Sequence, residues 1–117
     1  MKKVIYLSTC STCKRMTSPL QLMNYKFHDL KNQPIDEHTL EFLREHVSSY
    51  EELINKRARR YQELDLKNKH LSENQLKEIL LNEYTLLKRP IFIDGEQVFI
   101  GNSSKTQSDI LSYFNEQ

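Results

Sequence analysis

The chain has 117 residues, the size of one ordinary domain, and a nearly balanced charge of 17 basic and 16 acidic residues. That balance supplies no global field to draw in nucleic acid or an anionic membrane. Charged residues at 28 % with aliphatics spread throughout exclude a disordered chain. The apolar stretch after Met1-Lys2-Lys3 is too short for a signal-peptide core or a membrane span. The expected compartment is therefore the cytoplasm, where a cysteine pair seldom serves as a structural staple.

Val4, Ile5, Tyr6 and Leu7 form a continuous apolar run, the pattern of a strand covered on both faces. From Cys13 to about Met23 the pattern is helical, with Met16, Leu20 and Met23 at spacings that make one inner face. Pro19 falls within this stretch and either kinks the helix or restarts it after Ser18. Residues 25–30 alternate as a second strand, and a strand, a helix and a strand this close together make a parallel βαβ unit.

The middle of the chain reads as helical. Asp36 is a good N-cap, and Ile35 and Leu40 are placed as a hydrophobic staple ahead of Leu43 and Val47. A second helix is expected from Tyr50 to about Lys56, continuing loosely through Arg57-Ala58-Arg59-Arg60-Tyr61. Ser72 and Gln75 form a capping box for a third, with Leu76, Ile79 and Leu80 inward. The pattern then changes. Pro90-Ile91-Phe92-Ile93 and Gln97-Val98-Phe99-Ile100 flank Asp94-Gly95-Glu96, which predicts a β-hairpin turning at Asp-Gly. Ser104 and Gln107 make another capping box, opening a helix striped by Ile110, Leu111 and Phe114. The expected fold is α/β: one domain over 1–117, a mixed four-stranded sheet of a parallel βαβ pair plus an antiparallel hairpin, a helical insertion over about 36–87 and a C-terminal helix.

Cys10-Ser11-Thr12-Cys13 lies where the first strand gives way to the first helix. A thiol there faces unpaired backbone N–H groups and the positive end of the helix dipole, which favour the thiolate, and Lys14 and Arg15 add positive charge. The first sulfur is the more exposed, so Cys10 is the expected nucleophile and Cys13 the resolving thiol. Two other readings fit the same residues: half of a zinc site, or two inert buried thiols. A zinc site needs two more ligands, and His28, His38, His46 and His70 show no paired spacing. The short basic run from Lys56 to Arg60 fits a solvated face better than a nucleic-acid contact.

The element order with Cys-x-x-Cys at the first strand–helix junction resembles the thioredoxin fold. Thr9-Cys10-Ser11-Thr12-Cys13-Lys14, then Leu86-Leu87-Lys88-Arg89-Pro90-Ile91, then Asp94 followed by Val98-Phe99-Ile100-Gly101-Asn102, resemble the arsenate reductase–Spx family over nearly the full length. The resemblance implies a thiol-dependent oxidoreductase with Cys10, Cys13 and Arg89 catalytic. By the same resemblance Arg57 and Pro90 would contact substrate, with Pro90 as the cis proline beside the thiols. It implies no bound cofactor or metal, but an external reductant: glutathione with glutaredoxin, or thioredoxin. The Spx branch implies instead a redox-sensing transcriptional regulator whose partner is the RNA polymerase α-subunit. The late third arginine of the glutaredoxin-coupled enzymes has no counterpart, because no arginine follows Arg89. Read without the family, Arg89 and Pro90 start and punctuate a strand, and Arg57 is one of a solvated basic cluster.

Overall fold

The structure is a computed structural model that describes residues 1–20 and 22–115. It divides into two compact units, Met1–Gln33 together with Arg89–Gln117, and Pro34–Lys88.

The first unit is built on a sheet. Strands β1 (Lys2–Tyr6), β2 (Lys26–Asp29), β3 (Ile91–Asp94) and β4 (Gln97–Ile100) lie in the order β2-β1-β3-β4. β1 pairs parallel with β2 and antiparallel with β3, which pairs antiparallel with β4, so the hairpin joins the parallel pair in one mixed sheet as expected. Strand alternation sends Val4 and Phe92 to one face and Ile5, Ile91 and Ile93 to the other, and all five are buried. On the first of these faces Val4 and Phe92 pack with Met16, Leu22 and Ile110. Phe114 packs edge-on against Phe92, ring centroids 5.8 Å apart, and tilted against Tyr25 at 5.6 Å. Met16 comes from α1 (Ser11–Thr17), and Ile110 and Phe114 come from the helix that closes the chain, Ser104–Asn115.

Two sequence expectations fail here for local reasons. α1 stops at Thr17, two residues before Pro19: Ser18 still has helical dihedrals as the C-cap, but Pro19 has no N–H with which to continue the ladder. The 3.6-residue spacing no longer applies beyond that point, so Met23 is 91 % exposed and Leu22 takes the buried place. The closing helix is capped by Ser103 rather than Ser104: the Thr106 N–H donates to Ser103 Oγ at 3.1 Å. Within that helix Ile110 is buried, but Leu111 is 47 % exposed.

The hairpin turns at Gly95-Glu96, with Asp94 opposite Gln97. Gly95 has φ +60°, a left-handed conformation that favours glycine, and its N–H donates to the Met1 carbonyl at 2.8 Å.

The second unit is helical. α2 (Glu37–Arg44) starts at Asp36, whose carboxylate accepts from both the Thr39 N–H (3.0 Å) and the Thr39 hydroxyl (2.8 Å). Ile35 and Leu40, the expected staple pair, are both buried. α2 ends before Val47. The helix expected from Tyr50 is two pieces, a 3-10 turn over Tyr50–Leu53 and α3 (Arg59–Glu63). The chain breaks between them because Ile54 is extended and pairs as a β-bridge with Leu87. Backbone bonds from Asn55 N–H to the Leu86 carbonyl and from Lys88 N–H to the Leu53 carbonyl lock that bridge. α4 (Glu73–Asn82) opens with the expected Ser72–Gln75 capping box and buries Leu76 and Leu80, with Ile79 half-buried. With α5 as the Ser104–Asn115 helix, the described residues hold five α-helices.

Candidate thiol site

The turn that leads from β1 into α1 fixes the thiols. The Cys10 N–H donates to the Leu7 carbonyl at 2.9 Å, and the Cys10 carbonyl accepts the Lys14 N–H at 3.3 Å. Cys10 is the N-cap of α1, with an extended backbone. Its sulfur is half-buried, whereas Cys13, one turn further, is 0 % exposed. Both are thiols rather than halves of a disulfide.

The two sulfurs are displaced in opposite directions. Burial pushes the Cys10 thiol up, but hydrogen bonds from the Cys13 N–H and thiol, the charge of the Arg89 guanidinium and a hydrogen bond from the Thr12 N–H outweigh it. Cys10 therefore lies below an ordinary thiol. Burial pushes Cys13 up to about 12; the Leu7 N–H and Arg89 oppose this, while the hydrogen bond and charge of Cys10 reinforce it. Of the two, Cys10 is the sulfur that ionises first, its thiolate held by a protonated Cys13.

Arg89 and Pro90 enter from the start of β3. The Arg89–Pro90 peptide bond is cis. The Pro90 carbonyl accepts the Gly101 N–H at 2.9 Å, and the Arg89 carbonyl accepts the Asn102 side-chain amide at 3.3 Å. Gln107 in turn donates to the Asn102 carbonyl at 2.8 Å. The loop after β4 thus clasps the segment that carries the arginine.

Asp29, at the end of β2, braces the turn from the other side. One carboxylate oxygen accepts the Ser8 N–H (3.0 Å) and the Lys31 N–H (3.1 Å), and the other accepts the Asn32 side-chain amide (3.4 Å). In the sequence Asn102 stands out only as the end of the Val98–Asn102 resemblance, with no role attached, and Asp29 does not stand out at all. The available signal was small: an aspartate closing a strand that runs parallel to, and beside, the thiol-bearing strand.

Of the five residues expected at a site, the first unit brings together Cys10, Cys13, Arg89 and Pro90. Arg57 belongs to the second unit, where it is exposed and its N–H donates to the Asn55 side chain. Among the described residues no three His, Cys, Asp or Glu side chains are grouped as metal ligands. No helix among them is long and apolar enough to cross a membrane.

A mixed β2-β1-β3-β4 sheet, with two cysteines at the first strand–helix junction and a cis proline opening the third strand, is a thioredoxin-like fold. Comparison with known proteins is consistent with this. The sequence profile of the ArsC family matches residues 6–110, and the chain belongs to that family. It is 29 % identical over 96 residues to the global transcriptional regulator Spx of Lactiplantibacillus plantarum, covering 80 % of this chain and 73 % of that protein. It is 31 % identical over 97 residues to the uncharacterized Bacillus subtilis protein YusI, covering 79 % and 82 %. An arsenate reductase structure from Vibrio cholerae superposes with a TM-score of 0.75, at 18 % identity, over 95 % of this chain and 97 % of that one, a likeness of fold.

Proposed function

We propose that this chain is a thiol–disulfide reductase, with Cys10 as nucleophile and Cys13 as resolving thiol. The supporting observation is the opposite displacement of two sulfurs one helical turn apart, Cys10 below an ordinary thiol and Cys13 far above it. The Cys10 thiolate attacks one sulfur of a substrate disulfide, forming a mixed disulfide and expelling the other sulfur as a thiolate. Cys13 then surrenders its proton and attacks the Cys10 sulfur. This forms the Cys10–Cys13 disulfide and releases the second substrate thiolate. The substrate gains two electrons, the protein loses two, and an external thiol, glutathione with glutaredoxin or thioredoxin, returns them. Arg89 offers a fixed cation to negative charge at the reacting sulfur, and Pro90 is assigned to substrate contact beside the thiols. With Arg89 the one arginine in this role, a disulfide suits the site better than an arsenate oxyanion. The cytoplasm, whose thiol pools keep such pairs reduced, is the matching compartment.

A second reading is favoured by the Spx relatives. In it the same pair is a redox switch, and the partner is the RNA polymerase α-subunit. The test is turnover of arsenate and of small disulfides, with glutathione or thioredoxin as reductant, beside a binding assay with purified polymerase α-subunit. Disulfide turnover abolished by Cys10→Ser supports the reductase. Polymerase binding that depends on the Cys10–Cys13 redox state, without turnover, replaces it with the switch.

A further inference from the structure

We propose that Asp29 is the positioning residue of the Cys10 thiolate, its carboxylate holding the Leu7–Cys10 turn so that the sulfur meets its donors. This goes beyond the reductase reading and rests on its thiolate. Asp29 ends β2 opposite Tyr6, the last residue of β1, and the Leu30 N–H to Tyr6 carbonyl bond at 2.8 Å is where the ladder between the two strands closes. Past that point β1 has no strand partner, and the chain must still place Ser8, Thr9 and Cys10 with precision. The Asp29 carboxylate supplies the missing anchor. It grips the Ser8 N–H from across the sheet edge, and it is itself pinned by the Lys31 N–H and the Asn32 amide on its own loop. Ser8 lies inside the turn closed by the Cys10 N–H and the Leu7 carbonyl. Holding Ser8 therefore sets where Cys10 sits relative to Cys13 and Thr12. Although burial works against it, the Ser8 hydroxyl and N–H and the Lys31 N–H keep the Asp29 carboxyl below the usual range, so the anchor is ionised at neutral pH.

A carboxylate has the wrong sign to stabilise a thiolate directly, and this separates the two ways Asp29 could act. If only its charge reached Cys10, removing it would favour the thiolate. If it positions the turn, removing it costs Cys10 its aligned donors and disfavours the thiolate. The experiment is the pH profile of iodoacetamide alkylation at Cys10 in the reduced protein, with the modified residue located by mass. Asp29→Ala is expected to move the profile to higher pH and slow alkylation on the acid limb of the profile by about three- to tenfold, as a shift of half to one pH unit would. Asp29→Asn keeps an oxygen for the Ser8 N–H and should stay within about twofold of the wild type. If Asp29→Ala does not fold, Asp29→Ser, whose hydroxyl is too short to span the gap, carries the same expectation. An unmoved or acid-shifted profile in a folded alanine or serine variant overturns the proposal, even if the melting temperature drops. A wild-type Cys10 that alkylates like an ordinary thiol sinks the thiolate reading itself, a result distinct from the failure of Asp29 alone.

Discussion

At Cys10, burial and its polar neighbours pull in opposite directions, and of the groups that favour the thiolate Arg89 alone carries a full charge. A single nearby cation shifts a titrating group by a unit or more, so Arg89→Ala should slow Cys10 alkylation on the acid limb of its pH profile by roughly tenfold, while Arg89→Lys should lose much less. Equal rates in the wild type and the alanine variant would show that the backbone donors act without it. The Cys-x-x-Cys junction was legible because strand and helix signals flank it, whereas Arg89 came beside the thiols only through the family resemblance. The roles of Asp29 and Asn102 were not legible, because they come from loops brought together by strand pairing, and one sequence shows no such neighbours.

Caps and turns are decided within a few residues, and these were mostly legible. The Asp36 carboxylate serves both the N–H and the hydroxyl of Thr39. Asp36→Ala should therefore lower stability by about 1–2 kcal/mol, read from the denaturant midpoint at unchanged slope. Gly95 sits at φ +60°, and an added Cβ would meet nothing within 4 Å, so the penalty of Gly95→Ala is conformational only. About 1 kcal/mol is expected; a neutral result would mean the turn relaxes to another geometry. The elements misread were those whose ends depend on a distant partner or a competing local signal. The Tyr50 helix breaks because Ile54 pairs with Leu87, more than thirty residues away. The final helix starts one residue early because Ser103 and Ser104 are both serines and only the placed backbone chooses between them.

Stability against pH is a property of the whole chain. Cys13 and Tyr25 are raised in the fold from 9.0 and 10.0 to about 12, Tyr25 chiefly by burial and then by the Asp94 charge. Each contributes stability that is complete below its unfolded value and is lost as pH climbs towards 12. Asp29 and Glu73 are lowered, their hydrogen bonds outweighing burial, and Glu83 is lowered mainly by its bond to Arg60. These carboxylates contribute stability present above their unfolded values and lost as pH falls below them. The reduced protein should therefore show a plateau in its denaturant midpoint from about pH 5 to 8, falling on both sides. Cys13→Ala should make the alkaline limb shallower, and an unchanged limb would remove Cys13 from the account.

The residue order by itself determined the βαβ start, the late hairpin, the mixed sheet and the Cys-x-x-Cys junction. Each of these rests on apolar periodicity, proline and glycine placement, or caps that act over a few positions. Only the tertiary structure decided that Met23 faces water and Leu22 the core, that Ile54 leaves its helix, and that Cys10 and Cys13 are driven apart in acidity. The reason is physical: burial, charge and hydrogen-bond partners depend on which distant residues arrive beside a group, and Arg89 reaches the thiols only because β3 runs antiparallel to β1 and starts at the end of the sheet where β1 stops.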